Sequence, residues 1–67
     1  MEEGWSLVYT TDKLHLAEMA VEMLADNSIE AVQINKKDSM YKFGYIEVYV
    51  KDENLSKAEL MIKEFES

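Results

Sequence analysis

Two segments of the chain place apolar residues at helical spacing, and each predicts an amphipathic helix. Over residues 13–27 the apolar positions recur every three or four residues, at Leu14, Ala17, Ala20, Val21 and Leu24. After Asp52 or Asn54, either of which suits a helix N-terminus, they recur at Leu55, Ala58, Met61, Ile62 and Phe65. Each helix therefore has one apolar face with which to cover a sheet.

The residues that flank the first helix suit its two ends. Thr11 and Asp12 precede it, and their side-chain oxygens can accept hydrogen bonds from the free backbone N–H groups of the first turn. Asn27 follows it and tolerates the left-handed conformation in which helices often stop. We therefore predict that the helix ends at Asn27-Ser28.

Three shorter segments have the composition of β-strands. They are residues 5–10 (WSLVYT), 29–35 (IEAVQIN) and 45–50 (YIEVYV). In the third, Ile46, Val48 and Val50 alternate strictly with other residues, as in a strand that is covered on one face. In the second, Val32 and Ile34 share a face.

The first strand leaves open which of its faces is buried. Alternation divides its side chains into one set with Trp5, Leu7 and Tyr9 and another with Ser6, Val8 and Thr10. If the first set faces solvent, it forms an exposed aromatic patch with Tyr45 and Tyr49, and a dimer or a partner is expected. We favour burial of the set that contains Trp5, because so small a core needs the larger side chains.

The order β-α-β-β-α predicts a single α+β domain that spans residues 1–67. We expect a ferredoxin-like two-layer sandwich in which both helices cover one face of a three-stranded sheet. The connector of residues 36–44 is short enough for the second and third strands to pair antiparallel. The third strand then lies between the first and the second.

Composition excludes several classes of function. The 67 residues include no cysteine and no arginine, and 14 acidic residues against seven lysines give a net charge of −7. Disulfide scaffolds, cysteine-based metal sites and thiol catalysis are excluded, and the negative charge argues against nucleic acid. No apolar run approaches the roughly 20 residues of a membrane span, and the first residues are acidic, so we expect a cytoplasmic protein without a membrane partner.

No arrangement of side chains predicts catalysis, and we expect neither enzyme activity nor a cofactor. His15 aligns with Glu18 and Glu22 along the first helix, but one helix seldom supplies three metal ligands. We interpret this side as a solvated face and expect no metal. Glu18, Glu22 and Asp26 repeat at intervals of four residues. We interpret them as a soluble acidic face that keeps a small domain monomeric, in preference to an interaction surface.

The connector between the second and third strands concentrates positive charge. It contains three lysines and one aspartate, so its net charge is +2, and the remainder of the chain carries −9. We predict that it binds a protein partner or a small anion through Lys36, Lys37, Asp38, Ser39, Tyr41 and Lys42. The alternative is a structural homodimerisation module that pairs through the open face of the sheet, and we expect a monomer or a weak homodimer.

Several short segments resemble a small bacterial family of signal-transducing protein domains. They are Val8-Tyr9-Thr10, Met23-Leu24 leading to Ile29-Glu30-Ala31, the turn Asn35-Lys36-Lys37-Asp38-Ser39, and Phe43-Gly44 before Ile46-Glu47-Val48. The resemblance covers nearly the whole chain and implies a ferredoxin-like fold akin to the PII-type nitrogen-signalling proteins, whose corresponding connector reaches out to partners. Ser28 stands where this family usually has glycine, so we expect Asn27 to carry the backbone turn.

Overall fold

The computed structural model describes residues 3–36 and 45–67. In chain order its elements are β1 (Trp5–Thr11), α1 (Leu14–Asp26), β2 (Ala31–Lys36), β3 (Tyr45–Lys51) and α2 (Leu55–Glu66). A single turn of 3₁₀-helix, Asp52–Asn54, directly precedes α2. The chain is therefore a small α+β domain with a three-stranded sheet and two helices, as predicted.

The strand β3 lies in the centre of the sheet and pairs antiparallel with both neighbours, in the order β1-β3-β2. Trp5 lies opposite Lys51 at one end of the sheet, and Lys36 lies opposite Tyr45 at the other. This central position confirms the strand arrangement expected from the sequence. The strands β1 and β2 run in the same direction, and each is hydrogen-bonded to β3 and not to the other.

The core lies between one face of the sheet and both helices. Among residues 3–36 and 45–67, ten are buried in it: Tyr9, Ala17, Ala20, Leu24, Ile29, Ile46, Val48, Val50, Ala58 and Ile62. The ring of Tyr9 meets that of Phe65 edge to face, with the ring centres 5.7 Å apart. The apolar faces predicted for α1 and α2 point into this core, except that Leu14, at the first position of α1, is 49% exposed.

The start of α1 differs from the sequence prediction. The strand β1 continues through Thr11, and the N-cap position is Lys13, whose side chain makes no capping hydrogen bond. The side chain of Thr11 still accepts a hydrogen bond, from the Lys13 backbone N–H at 3.1 Å, but this bond lies before the helix rather than at its first turn. The prediction that Thr11 and Asp12 cap the helix directly is therefore wrong by one or two positions.

The end of α1 has the geometry of a Schellman motif. The backbone N–H of Ile29 donates to the Leu24 carbonyl oxygen at 2.9 Å, and that of Ser28 donates to the Ala25 carbonyl oxygen at 3.0 Å. Ser28 adopts the left-handed conformation, with φ of 65°, in the place where the motif usually has glycine. The motif turns the chain so that Ile29 is buried beside Leu24.

The prediction that Asn27 carries this turn is wrong. Its φ is −105°, and its side-chain amide donates to the Met23 carbonyl oxygen at 2.9 Å. The amide thus satisfies a carbonyl at the helix end while the next residue, Ser28, takes the conformation that costs an L-residue about 1–2 kcal/mol. The hydrogen bonds at the helix end therefore determine which residue is left-handed, and they outweigh the stronger preference of asparagine for that conformation.

Candidate functional site

The strand β1 contains a β-bulge at Val8. Leu7 lies opposite Tyr49 and Tyr9 lies opposite Val48, so Val8 has no partner of its own on β3. Val8 and Tyr9 are consecutive, yet Val8 packs against the core and Tyr9 belongs to it, whereas Leu7 is 45% exposed. The bulge therefore reverses the alternation of faces halfway along the strand.

This reversal places Trp5 and Leu7 on the side of the sheet away from the helices. Residues directly opposite each other in an antiparallel pair share a face, and Trp5 and Leu7 lie opposite Lys51 and Tyr49, which alternate with core residues of β3. The prediction that Trp5, Leu7 and Tyr9 all face the helices is therefore correct only for Tyr9. An uninterrupted alternation, which both alternatives assumed, does not exist in β1.

The strand β2 also presents its larger apolar residues to the side away from the helices. Val32 lies opposite Tyr49, and Ile34 lies opposite Glu47. On the helix side β2 contributes Ala31, which packs against the core. Sequence alternation shows that Val32 and Ile34 share a face, but only the pairing with β3 shows which face it is.

Together the three strands form a largely apolar surface, which we call the open face. Its apolar and aromatic side chains are Trp5, Leu7, Val32, Ile34, Tyr45 and Tyr49. None of these six side chains belongs to the core or packs against it. The open face therefore holds the chain's one tryptophan and two of its four tyrosines outside the folded interior.

A carboxylate lies in the middle of the open face and is already paired. The Glu47 side chain is only 12% exposed, and its Oε1 accepts a hydrogen bond from the Tyr49 hydroxyl at 3.0 Å. The Nζ atom of Lys36 lies 3.8 Å from the same oxygen. At the opposite end the Nζ atom of Lys51 lies 3.4 Å from Oε2 of Glu30, so the two lysines and two glutamates leave the open face without net charge on a chain of −7.

The hydrogen bond to Glu47 raises the pKa of Tyr49 above its ordinary value of 10.0, aided by desolvation and by the negative charge of Glu47. The stability that the tyrosine contributes is thus present below pH 10 and is lost as the pH rises through its folded-state pKa. We expect Glu47→Gln to lower the Tyr49 pKa, measured from the ¹³C shifts of its ring. Glu30→Gln, which removes a carboxylate paired with Lys51 at 3.4 Å, is expected to leave that pKa unchanged. Equal shifts in both variants would contradict the assignment.

The structure connects one predicted site residue to this surface. Lys36 is the last residue of β2 and forms the ion pair with Glu47. The other predicted residues of the connector lie outside the described part of the chain: Lys37, Asp38, Ser39, Tyr41 and Lys42. The connector joins β2 to β3 at the end of the open face where Lys36 lies opposite Tyr45.

Outside the open face lie the predicted solvated face of α1 and a groove beside β1. Residues 3–36 and 45–67 contain no cluster of three or more histidine, cysteine or acidic side chains that could hold a metal ion, and His15, Glu18 and Glu22 are all exposed. A groove of about 260 Å³ follows the outer edge of β1 and is lined by residues 7–10 and Glu66. Neither described helix has the length and apolarity needed to cross a membrane.

Comparison with known families gives one match. A family profile described as "putative prokaryotic signal transducing protein" matches residues 5–66. The chain belongs to this family. The match runs from the start of β1 to the end of α2 and agrees with the resemblance in the sequence. A search of curated proteins and a search of solved structures each returned no match.

Sequence patterns alone do not assign Val32, Ile34 or Glu47 to a functional surface. One sequence signal does point to this surface: in β3, Glu47 stands between Tyr45 and Tyr49 on the face opposite the core residues. The side chains that surround Glu47 across the sheet must therefore come from β1 and β2. Which edge residues those are depends on the register, and a shift of one residue exchanges the two faces of a strand. The open face therefore emerges only from the observed pairing.

Proposed function

We propose that this chain is a non-enzymatic regulatory domain that transmits a signal by binding a protein through the open face of its sheet. Lys36, the first residue of the connector, lies at one end of this surface. The observation that carries the proposal is the accumulation of Trp5, Leu7, Val32 and Ile34 beside two tyrosines on a face that no described element covers. The family description agrees with a role in signalling.

The composition of the open face is that of a protein-binding surface. Tryptophan and tyrosine are the residues that most often dominate the energy of protein interfaces, and contiguous apolar patches on small domains commonly mark such interfaces. Glu47 is paired with Lys36 and Tyr49, so covering it does not leave an isolated carboxylate. Lys36 and Lys51 at the two ends are each paired with a glutamate, so the open face offers a partner a surface without net charge.

A small anion is the other ligand class that the connector residues suggest. Among the described residues of the open face, the lysine nearest the connector already contacts a carboxylate, and the surface is the face of a three-stranded sheet. Small-molecule sites are usually concave pockets that enclose their ligand. We therefore favour a protein partner, and a response to inorganic phosphate becomes one outcome of the experiments below.

We also propose that the domain is related to ferredoxin-like folds and, among them, to the PII-type signalling proteins. Support comes from the order of its elements, in which a helix follows β1 and a second helix follows β3, and from the central position of β3. In this relationship the open face is the side of the sheet opposite both helices. Fold likeness by itself does not identify a partner.

Site-specific photo-crosslinking in the native host tests the proposed surface. A photoreactive phenylalanine analogue replaces Leu7 or Tyr45 on the open face, or Met19 or Leu60 on the helices, which are matched controls because all four side chains are about half exposed or more. We expect irradiation to yield adducts heavier than the single chain from the two sheet positions and not from the two helix positions. Sheet positions that yield no adduct, or helix positions that yield the same adducts, would show that the open face is not the binding surface.

A charge reversal tests the contribution of the connector in the same experiment. We expect Lys36→Glu together with Lys37→Glu to reduce the adduct yield from position 45 at least severalfold. The melting temperature should fall as well, because Glu47 is only 12% exposed and loses the lysine beside it, so the circular dichroism spectrum is used to show that the variant is folded. Chemical-shift changes of Lys36 and its neighbours with inorganic phosphate, combined with unaltered adduct yields, would instead favour the small-anion function.

A further inference from the structure

We infer that the occupant of the open face is the open face of a second copy of this chain, in a two-fold symmetric dimer. The two sheets would pack face to face, with the four helices outside them, a standard arrangement for stacked sheets. This inference rests on the proposed function, since it names the partner of the same surface. Three features of the described residues support a second copy: the location of the large side chains, the distribution of charge and the size of the face.

Large apolar side chains lie on both faces of the sheet, in the core under the helices and on the open face. In the part of the chain that the structure describes, three of the ten core residues are alanines, and the largest fully buried side chains are Leu24, Ile29, Val48 and Val50. The chain's one tryptophan, Trp5, lies instead on the open face. A domain of 67 residues has a small core, and a second packed layer on the other side of the sheet adds the burial that it lacks.

Charge favours this face over any other for self-association. Two identical copies of net charge −7 repel each other, and the acidic residues of the helices increase that repulsion where helices meet. On the open face Lys36 and Lys51 are paired with Glu47 and Glu30, so this face has no net charge and the −7 lies on the rest of the chain. In a symmetric dimer each Glu47 enters the interface already hydrogen-bonded to Tyr49 and paired with Lys36, so the contact brings no unpaired like charges together.

The size of the face suits a weak dimer. Strands of six or seven residues at about 3.3 Å per residue, in three strands about 4.8 Å apart, give a face of roughly 23 by 15 Å. With side-chain relief, two such faces bury on the order of 1,000 Å² in total, near the lower limit for a specific interface. We therefore expect a dissociation constant on the order of 10–100 μM.

Sedimentation velocity on three proteins tests the dimer. The wild type is compared with Leu7→Glu on the open face and with Leu60→Glu on α2, two leucines that are 45% and 67% exposed and receive the same change of charge. Between about 5 and 500 μM we expect the wild type and Leu60→Glu to pass from monomer to dimer. We expect Leu7→Glu to weaken association at least tenfold while its circular dichroism spectrum stays that of the wild type.

Fluorescence of the one tryptophan gives a second reading that does not depend on hydrodynamics. Trp5 lies on the open face, so its emission should shift to shorter wavelength, and acrylamide quenching should fall, over the concentrations at which the dimer forms. A wild type that stays monomeric at about 500 μM overturns the dimer. Equal association of Leu7→Glu and Leu60→Glu, or unchanged Trp5 emission on association, shows that copies meet through another surface and overturns it as well.

The crosslinked adducts separate this inference from the proposed function. Adducts from the open face that contain two copies of the chain support both. Adducts with a different protein, together with a monomer in sedimentation, overturn the second copy but leave the open face as the binding surface. If the open face yields no adduct, and sedimentation detects a dimer that Leu7→Glu does not weaken, both the proposed binding surface and the dimer through it are contradicted.

Discussion

Leu24→Ala is expected to remove about 3 kcal/mol from the free energy of unfolding, most of the stability that a domain of this size has. Leu24 is fully buried, and it packs in the core where α1 ends beside Ile29. Alanine leaves a cavity that the surrounding alanine-rich helix positions cannot fill. Urea unfolding followed by circular dichroism measures the loss as a lower midpoint at a similar slope.

The matched control is Leu60→Ala on the outer side of α2. Leu60 is 67% exposed, so the same truncation removes almost no buried surface and should change the free energy of unfolding by less than about 0.5 kcal/mol. A loss from Leu24→Ala that is no larger than that from Leu60→Ala would mean that the core does not lie between the helices and the sheet as described.

Tyr9→Ala is expected to cost about 3 kcal/mol, because it removes a buried ring and its edge-to-face contact with Phe65. Tyr9→Phe keeps the ring and is expected to stay within about 1 kcal/mol of the wild type. Both are measured by urea unfolding. If Tyr9→Phe were as destabilising as Tyr9→Ala, the hydroxyl rather than the packed ring would carry the effect.

Deletion of the neighbouring residue, Val8, tests the role of the bulge, and here we expect only a small loss of stability. Because Val8 has no partner on β3, its removal allows Leu7 to stay opposite Tyr49 and Tyr9 to stay opposite Val48. We expect the deletion variant to fold, with a loss of about 1 kcal/mol for the packing that Val8 contributes. Unfolding of the deletion variant would show that the bulge is needed for the strand to pair at all.

Much of the fold could be predicted because it follows from periodicity alone. The strict alternation in β3 correctly assigns Ile46, Val48 and Val50 to the core, and the spacing on α2 correctly assigns Ala58 and Ile62. The short connector before β3 predicts antiparallel pairing with β2, and the expected split βαβ arrangement places β3 between the other two strands, as the sheet shows. These predictions are correct because each rests on several residues whose spacing indicates the same element and the same buried face.

The features that could not be predicted each depend on a single backbone position. Nothing in the run Leu7-Val8-Tyr9 marks Val8 as the unpaired residue, since all three side chains suit either face of a strand. Ser28 takes the left-handed conformation because the hydrogen bonds of the helix end place it there, although Asn27 has the stronger intrinsic preference. The open face depends on both the bulge and the register, so the sequence suggested such a patch only as one of two alternatives for β1.

The central position of β3 affects the order in which the protein can form during synthesis. Both edge strands are made before β3, and each forms its ladder only with residues 45–51. Until those residues leave the ribosome, β1 and β2 have no strand with which to pair, and only α1 can begin to form from local contacts. The sheet therefore assembles in a single late step around its last strand, and a ribosome that pauses before Tyr45 would hold an unpaired, aggregation-prone chain.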